Sequence, residues 1–71
     1  MLILLDEGPS YTPLELDAAV VPRVGEYLRV DGTTGLVDFV VEGVMHNFHK
    51  HARPERDHVA TLKVRRLPRQ S

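Results

Sequence analysis

Apolar and polar residues alternate along most of this chain with a period of two, and no stretch carries the 3.6-residue period of a helix. Short runs of Val, Leu, Ile, Tyr and Phe are divided by Gly8-Pro9-Ser10, Pro13, Pro22, the segment Asp31 to Gly35, and Arg53-Pro54. Runs of strand-forming residues between such breakers predict strands joined by turns.

Five strands are expected, over residues 1–5, 14–16, 27–30, 36–45 and 58–66. The first is apolar at every position, which predicts a strand covered on both faces or one that adds to another sheet. Residues 17–21 read as one helical turn, capped by Asp17 and stopped by Pro22. In the third strand Leu28 and Val30 share one face and Tyr27 and Arg29 the other, and the glycine-rich segment 31–35 turns the chain back antiparallel. In the fourth, Val37, Phe39 and Val41 share a face opposite Asp38 and Glu42, and the alternation slips after Glu42. A bulge at Gly43 restores it and predicts Val44, His46 and Phe48 in line with Phe39 and Val41, with Phe48 and His46 directed toward the core. The fifth sets Ala60, Leu62 and Val64 on a core face against Val59, Thr61, Lys63 and Arg65. Pro68 ends it and leaves residues 68–71 as a frayed basic tail.

The expected fold is all-β: a small five-stranded antiparallel barrel or roll of the SH3-like kind. It forms one domain over residues 1–67 with at most one short helical turn. Closure hides strand edges that a small sheet cannot otherwise protect.

Val21-Pro22-Arg23-Val24-Gly25-Glu26-Tyr27-Leu28-Arg29-Val30, followed by Phe39-Val40-Val41-Glu42-Gly43-Val44-Met45-His46, resembles a pattern of small uncharacterised bacterial and phage proteins. It reads P-x-x-G-[DE]-x-[VIL], then a bent strand of the form aromatic-x-V-x-x-V-x-H, across residues 20–66. The resemblance implies the SH3-like fold and brings no activity with it. Physically the first half is a corner. Pro22 forces Val21 extended, and Gly25 permits a sharp turn into the strand.

Length and composition narrow the function classes. At 71 residues without a cysteine, the chain builds a small core with no disulfide and no thiolate metal site. That composition fits a reducing, cytoplasmic setting. The apolar run 1–5, followed by Asp6 and Glu7, is too short for a membrane span, and no membrane partner is expected. A net charge of −1 conceals a split. Residues 1–44 hold two arginines against eight carboxylates, and residues 45–71 hold seven lysines and arginines against two. Either the two halves neutralise one another across strands, or the second half presents an anion-binding patch.

The stretch HNFHKHARPERDH, from His46 to His58, holds all four histidines together with Lys50, Arg53 and Arg56. Imidazoles ligate zinc, nickel and copper, and His49, His51 and His58 are the candidates outside the core. The neighbouring cations repel a metal ion and only Glu55 and Asp57 offer carboxylates, so no metal site and no cofactor are expected. Ser10 and Ser71 are the only serines, and no phosphate cradle or nucleophile elbow is present, so neither an enzyme nor a small-molecule substrate is expected. What the pattern predicts is a binding surface of His49, Lys50, His51, Arg53 and Arg56, with Lys63 and Arg65 on one strand face converging on the loop. Its expected partner is a protein or a second copy of the chain. The alternative is a nucleic acid, with Tyr11, Tyr27 and Phe48 as stacking surfaces; the sequence pI near 6.4 counts against it.

Overall fold

The computed structural model describes residues 1–32, 35–51, 53 and 56–68. Thr33, Thr34, Glu55, Pro54 and residues 69–71 of the tail, which entered the reading above, lie outside the described residues. Five strands form one sheet: β1 (Leu2–Asp6), β2 (Leu14–Asp17), β3 (Tyr27–Gly32), β4 (Gly35–His46) and β5 (His58–Leu67). Their order across the sheet is β2-β1-β5-β4-β3, and the sheet curls into a half-barrel.

The pairing is mixed, which corrects the purely antiparallel expectation. β1 runs parallel to β5, while β1–β2, β3–β4 and β4–β5 are antiparallel. The cause lies in the apolar first run. Ile3 and Leu5 are 1% and 0% exposed between β2 and β5, and Leu2 and Leu4 are half-buried on the other face. A run with no polar face is most stable in the middle of a sheet, where both of its edges are paired. β1 therefore has no free edge with which to join another sheet.

The inner face carries the core: Ile3 and Leu5 from β1, Phe39 and Val41 from β4, and Ala60, Leu62 and Val64 from β5. Leu16, Leu28, Val30, Val37 and Val44 pack against it. The register of β4 against β5 steps from Val41↔Val64 to Gly43↔Lys63, so Glu42 is the extra residue of a bulge. The step sets Val44 opposite Leu62 and keeps it on the core face. The glycine is not required there by backbone conformation, because an added Cβ at Gly43 would meet only Lys63 Cβ at 3.6 Å.

Two turns follow from their residues. At Gly8 (φ +114°) the N–H reaches back to Asp6 Oδ1 at 2.9 Å, an Asx turn ending β1. At Arg23–Glu26 the N–H of Glu26 bonds Arg23 O at 3.0 Å, and Gly25 supplies φ +91° at the third position. The corner predicted at Pro22–Gly25 is therefore a β-turn feeding β3. The helical turn expected over residues 17–21 does not form. Asp17 ends β2, and its carboxylate accepts a 2.9 Å hydrogen bond from the Met1 amino group instead of capping a helix. No helix occurs among the described residues, and none is long and apolar enough to cross a membrane.

Candidate loop surface and the charge pattern around it

The sheet settles how the two charged halves of the chain meet. Two ion pairs and one histidine–carboxylate contact join the basic second half to the acidic first half. Arg66 Nε donates to Glu7 Oε1 at 2.9 Å, His58 Nε2 lies 2.7 Å from Glu15 Oε1, and Arg65 Nε donates to Glu42 Oε2 at 3.3 Å. Arg29 is likewise held by Asp38 at 2.8 Å across β3–β4. Neutralisation across strands is thus real for Arg29, Arg65 and Arg66 on the sheet, though not for Lys63. Lys50, Arg53, Arg56 and Lys63 form no ion pair among the described residues. Three of those four are in the loop joining β4 to β5.

The base of that loop is well fixed. Asn47 N–H donates to Val59 O at 2.9 Å, and its side-chain amide donates to His58 O and to Thr61 Oγ1, both at 3.2 Å. His49 Nε2 also lies 3.2 Å from His58 O. Further round, Arg53 O accepts from the N–H groups of Arg56 and Asp57 at 2.8 and 2.9 Å, and Asp57 Oδ2 accepts the Arg53 N–H at 2.7 Å. Asp57 is thereby spent on the backbone. The guanidinium groups of Arg53 and Arg56 and the Lys50 ammonium face solvent.

Phe48 is the structural surprise of the loop. It is 94% exposed, where strand alternation predicted a core ring. His46, opposite Ala60 on the core side of the ladder, is also exposed. The reason is that β4 ends at His46 and the Asn47 bonds draw the chain away, while the core at this end closes on the small side chain of Ala60. Alternation holds only as long as the ladder does.

His49, Lys50, His51, Arg53 and Arg56 therefore share one exposed loop around Phe48. Lys63 and Arg65 share the outer face of β5, as their parity predicted, but at a distance from that loop. Arg65 lies seven residues beyond His58, roughly 23 Å of extended chain. It faces Val40 and pairs with Glu42 at the bulge. Lys63 is nearer and lines a groove with Met45 and Thr61. Among the described residues no three histidine or acidic side chains gather as metal ligands.

Arg66, one of the seven cations counted in the second half of the chain, has a role that the charge count missed. Its guanidinium bonds both Glu7 oxygens, at 2.9 and 3.1 Å, and lies 5.1 Å from the Tyr11 ring centroid and 5.6 Å from that of Phe39. The Glu7 side chain is only 4% exposed. The hydrogen bonds to Glu7 raise the Arg66 pKa still further above its ordinary value, against a lowering by desolvation, so the group stays charged. The signal was available: Arg66 continues the Ala60, Leu62, Val64 parity and so belongs on the inner face. Tyr11 is engaged at this corner, whereas Tyr27 is 75% exposed on the outer face of β3.

Compared with known proteins, the chain matches no family model, no curated protein and no solved structure.

Proposed function

We propose that this protein is a non-catalytic interaction module that binds a protein partner through the loop between β4 and β5. Phe48 is its apolar anchor, and His49, Lys50, His51, Arg53 and Arg56 form its cationic rim. One observation carries the reading: a phenylalanine 94% exposed at the head of a loop whose base is tied down by Asn47. Exposing a whole aromatic ring forgoes about 1.5–3 kcal/mol of burial, and a partner that covers the ring recovers it. Aromatic anchors surrounded by arginine are the usual energetic centres of protein interfaces. Met45, 67% exposed, and Lys63 extend the surface onto the sheet, while Arg65, paired with Glu42, lies beyond it. The five short strands and the bulged β4 support an SH3-like assignment of the half-barrel, in which loops at one end form the binding rim. The absence of cysteine supports a cytoplasmic setting.

A nucleic acid on the same loop is the second reading, favoured by three loop cations without an ion pair among the described residues and by an exposed ring. Salt separates the two. Phosphate binding by three cations falls with a log–log slope of roughly −3 as salt is raised, whereas an anchor buried in a protein pocket holds. The test is equilibrium binding of wild type and Phe48→Ala to a partner recovered by crosslinking, repeated at rising salt. The expected result is a loss of about 30-fold on Phe48→Ala with a shallow salt slope. A steep slope, with an oligonucleotide pool competing equally, supports the second reading and defeats the first.

A further inference from the structure

The half-barrel is left open between its two edge strands. β2 and β3 stand at opposite ends of the strand order, yet their residues line one cleft of about 400 Å³: Leu14, Glu15 and Leu16 on one wall, Val30, Asp31 and Gly32 on the other, with Val37 and Arg66 at its floor. A second cleft continues it past Ile3 and Leu28. Each wall is a strand with one edge unpaired among the described residues, so its N–H and C=O groups on that edge are open to a ligand strand.

We propose that this seam is a second binding site, separate from the 47–57 loop, and that its ligand is an extended peptide segment with apolar and basic residues in alternation. Only a strand can satisfy two facing edges at once, because it carries donors and acceptors on both of its sides. β2 and β3 run in opposite directions, as the chain of pairings from β2 through β1, β5 and β4 to β3 requires. An inserted strand is therefore antiparallel to one wall and parallel to the other, whichever way it enters. Its inward side chains meet Leu16, Leu28 and Val30, which sets every second residue as apolar. Its outward side chains lie beside the outer-face residues of the walls. On β2 these are Glu15, in contact with His58 Nε2, and Asp17, bonded to the Met1 amine; on β3 they are Arg29, already bonded to Asp38, and Asp31, which has no partner among the described residues. With Asp17 paired to the Met1 amine and Asp38 to Arg29, the carboxylates of Glu15 and Asp31 leave the rim negative by formal charge, which sets the outward positions of the ligand as lysine or arginine.

The test uses the full chain and two capped synthetic heptapeptides, one alternating valine with lysine and one alternating valine with glutamate, followed by amide NMR. The expected result is that the lysine peptide shifts the amides of Leu14–Asp17 and Tyr27–Gly32 and slows their hydrogen exchange, leaves those of His49 to Arg53 in place, and binds at least 10-fold tighter than the glutamate peptide. Asp31→Lys, an exposed substitution, lowers the lysine peptide's affinity about 5-fold without altering the fold. Equal binding of both peptides, shifts confined to other strands, or no binding overturns the proposal. The same edge amides shifting with protein concentration alone would assign the seam to a second copy of the chain and overturn the peptide assignment.

Discussion

At the Pro68 end of β5, Arg66 lies over Tyr11 and Phe39 and bonds both oxygens of a carboxylate that is nearly buried. At the His58 end, exposed Lys50, Arg53 and Arg56 share a loop with a phenylalanine that is 94% exposed. Both regions combine cations with an aromatic ring. In the first, each group is satisfied by its neighbours, and the cluster seals the mouth of the core. In the second, Asn47 ties down the base of the loop, while Phe48 stands exposed and Lys50, Arg53 and Arg56 form no ion pair among the described residues. A residue type does not distinguish a structural cluster from a binding surface. The distinction lies in whether the partners of that residue are already in the fold.

Substitutions at the two regions separate stability from binding. The largest effect is expected at Phe39, fully buried beneath Arg66. Phe39→Ala should cost about 3–5 kcal/mol, most of what a chain of this size possesses, and urea denaturation will show it as a collapse of the midpoint. Next comes Glu7→Gln, which strips the half-exposed Arg66 guanidinium of a carboxylate that is itself nearly buried; thermal melting should show a clear fall. Arg65→Ala is the matched control, since Arg65 is exposed and paired only at 3.3 Å to an exposed Glu42, and its melting temperature should barely change. If Arg65→Ala destabilises as much as Glu7→Gln, the sealed corner is not special. Smaller again is Gly25→Ala, which places a side chain at φ +91° and should cost about 1 kcal/mol, while Gly43→Ala should stay within about 0.5 kcal/mol. The smallest stability effect is expected at Phe48, within about 0.5 kcal/mol for Phe48→Ala.

Much of the fold was legible in the residues, for reasons that particular elements make plain. The β3–β4 hairpin, the Gly25 corner and the slip after Glu42 are written in local chemistry: alternation, a proline, glycines. The observed strands start and end within two residues of those expected. The parallel β1–β5 pairing was not legible, because a fully apolar run states that it is covered on both sides and does not state by which neighbour. The helical turn at 17–21 failed because a cap residue followed by a proline leaves too little chain to propagate a helix, and Asp17 found a partner in the Met1 amine. At the loop, His49, Lys50, His51, Arg53 and Arg56 read correctly as exposed side chains. Phe48 did not, since the end of a ladder is fixed by side-chain bonds such as those of Asn47 to His58 and Thr61, which no periodicity encodes.

The most direct test of the loop as a partner-binding surface pairs two numbers for one variant: the melting temperature of Phe48→Ala and its affinity for the protein crosslinked by a photoreactive residue at position 48. An unchanged melting temperature with an affinity lowered about 30-fold is the predicted result. A lowered melting temperature with unchanged affinity would show that Phe48 serves the fold, and would contradict the account.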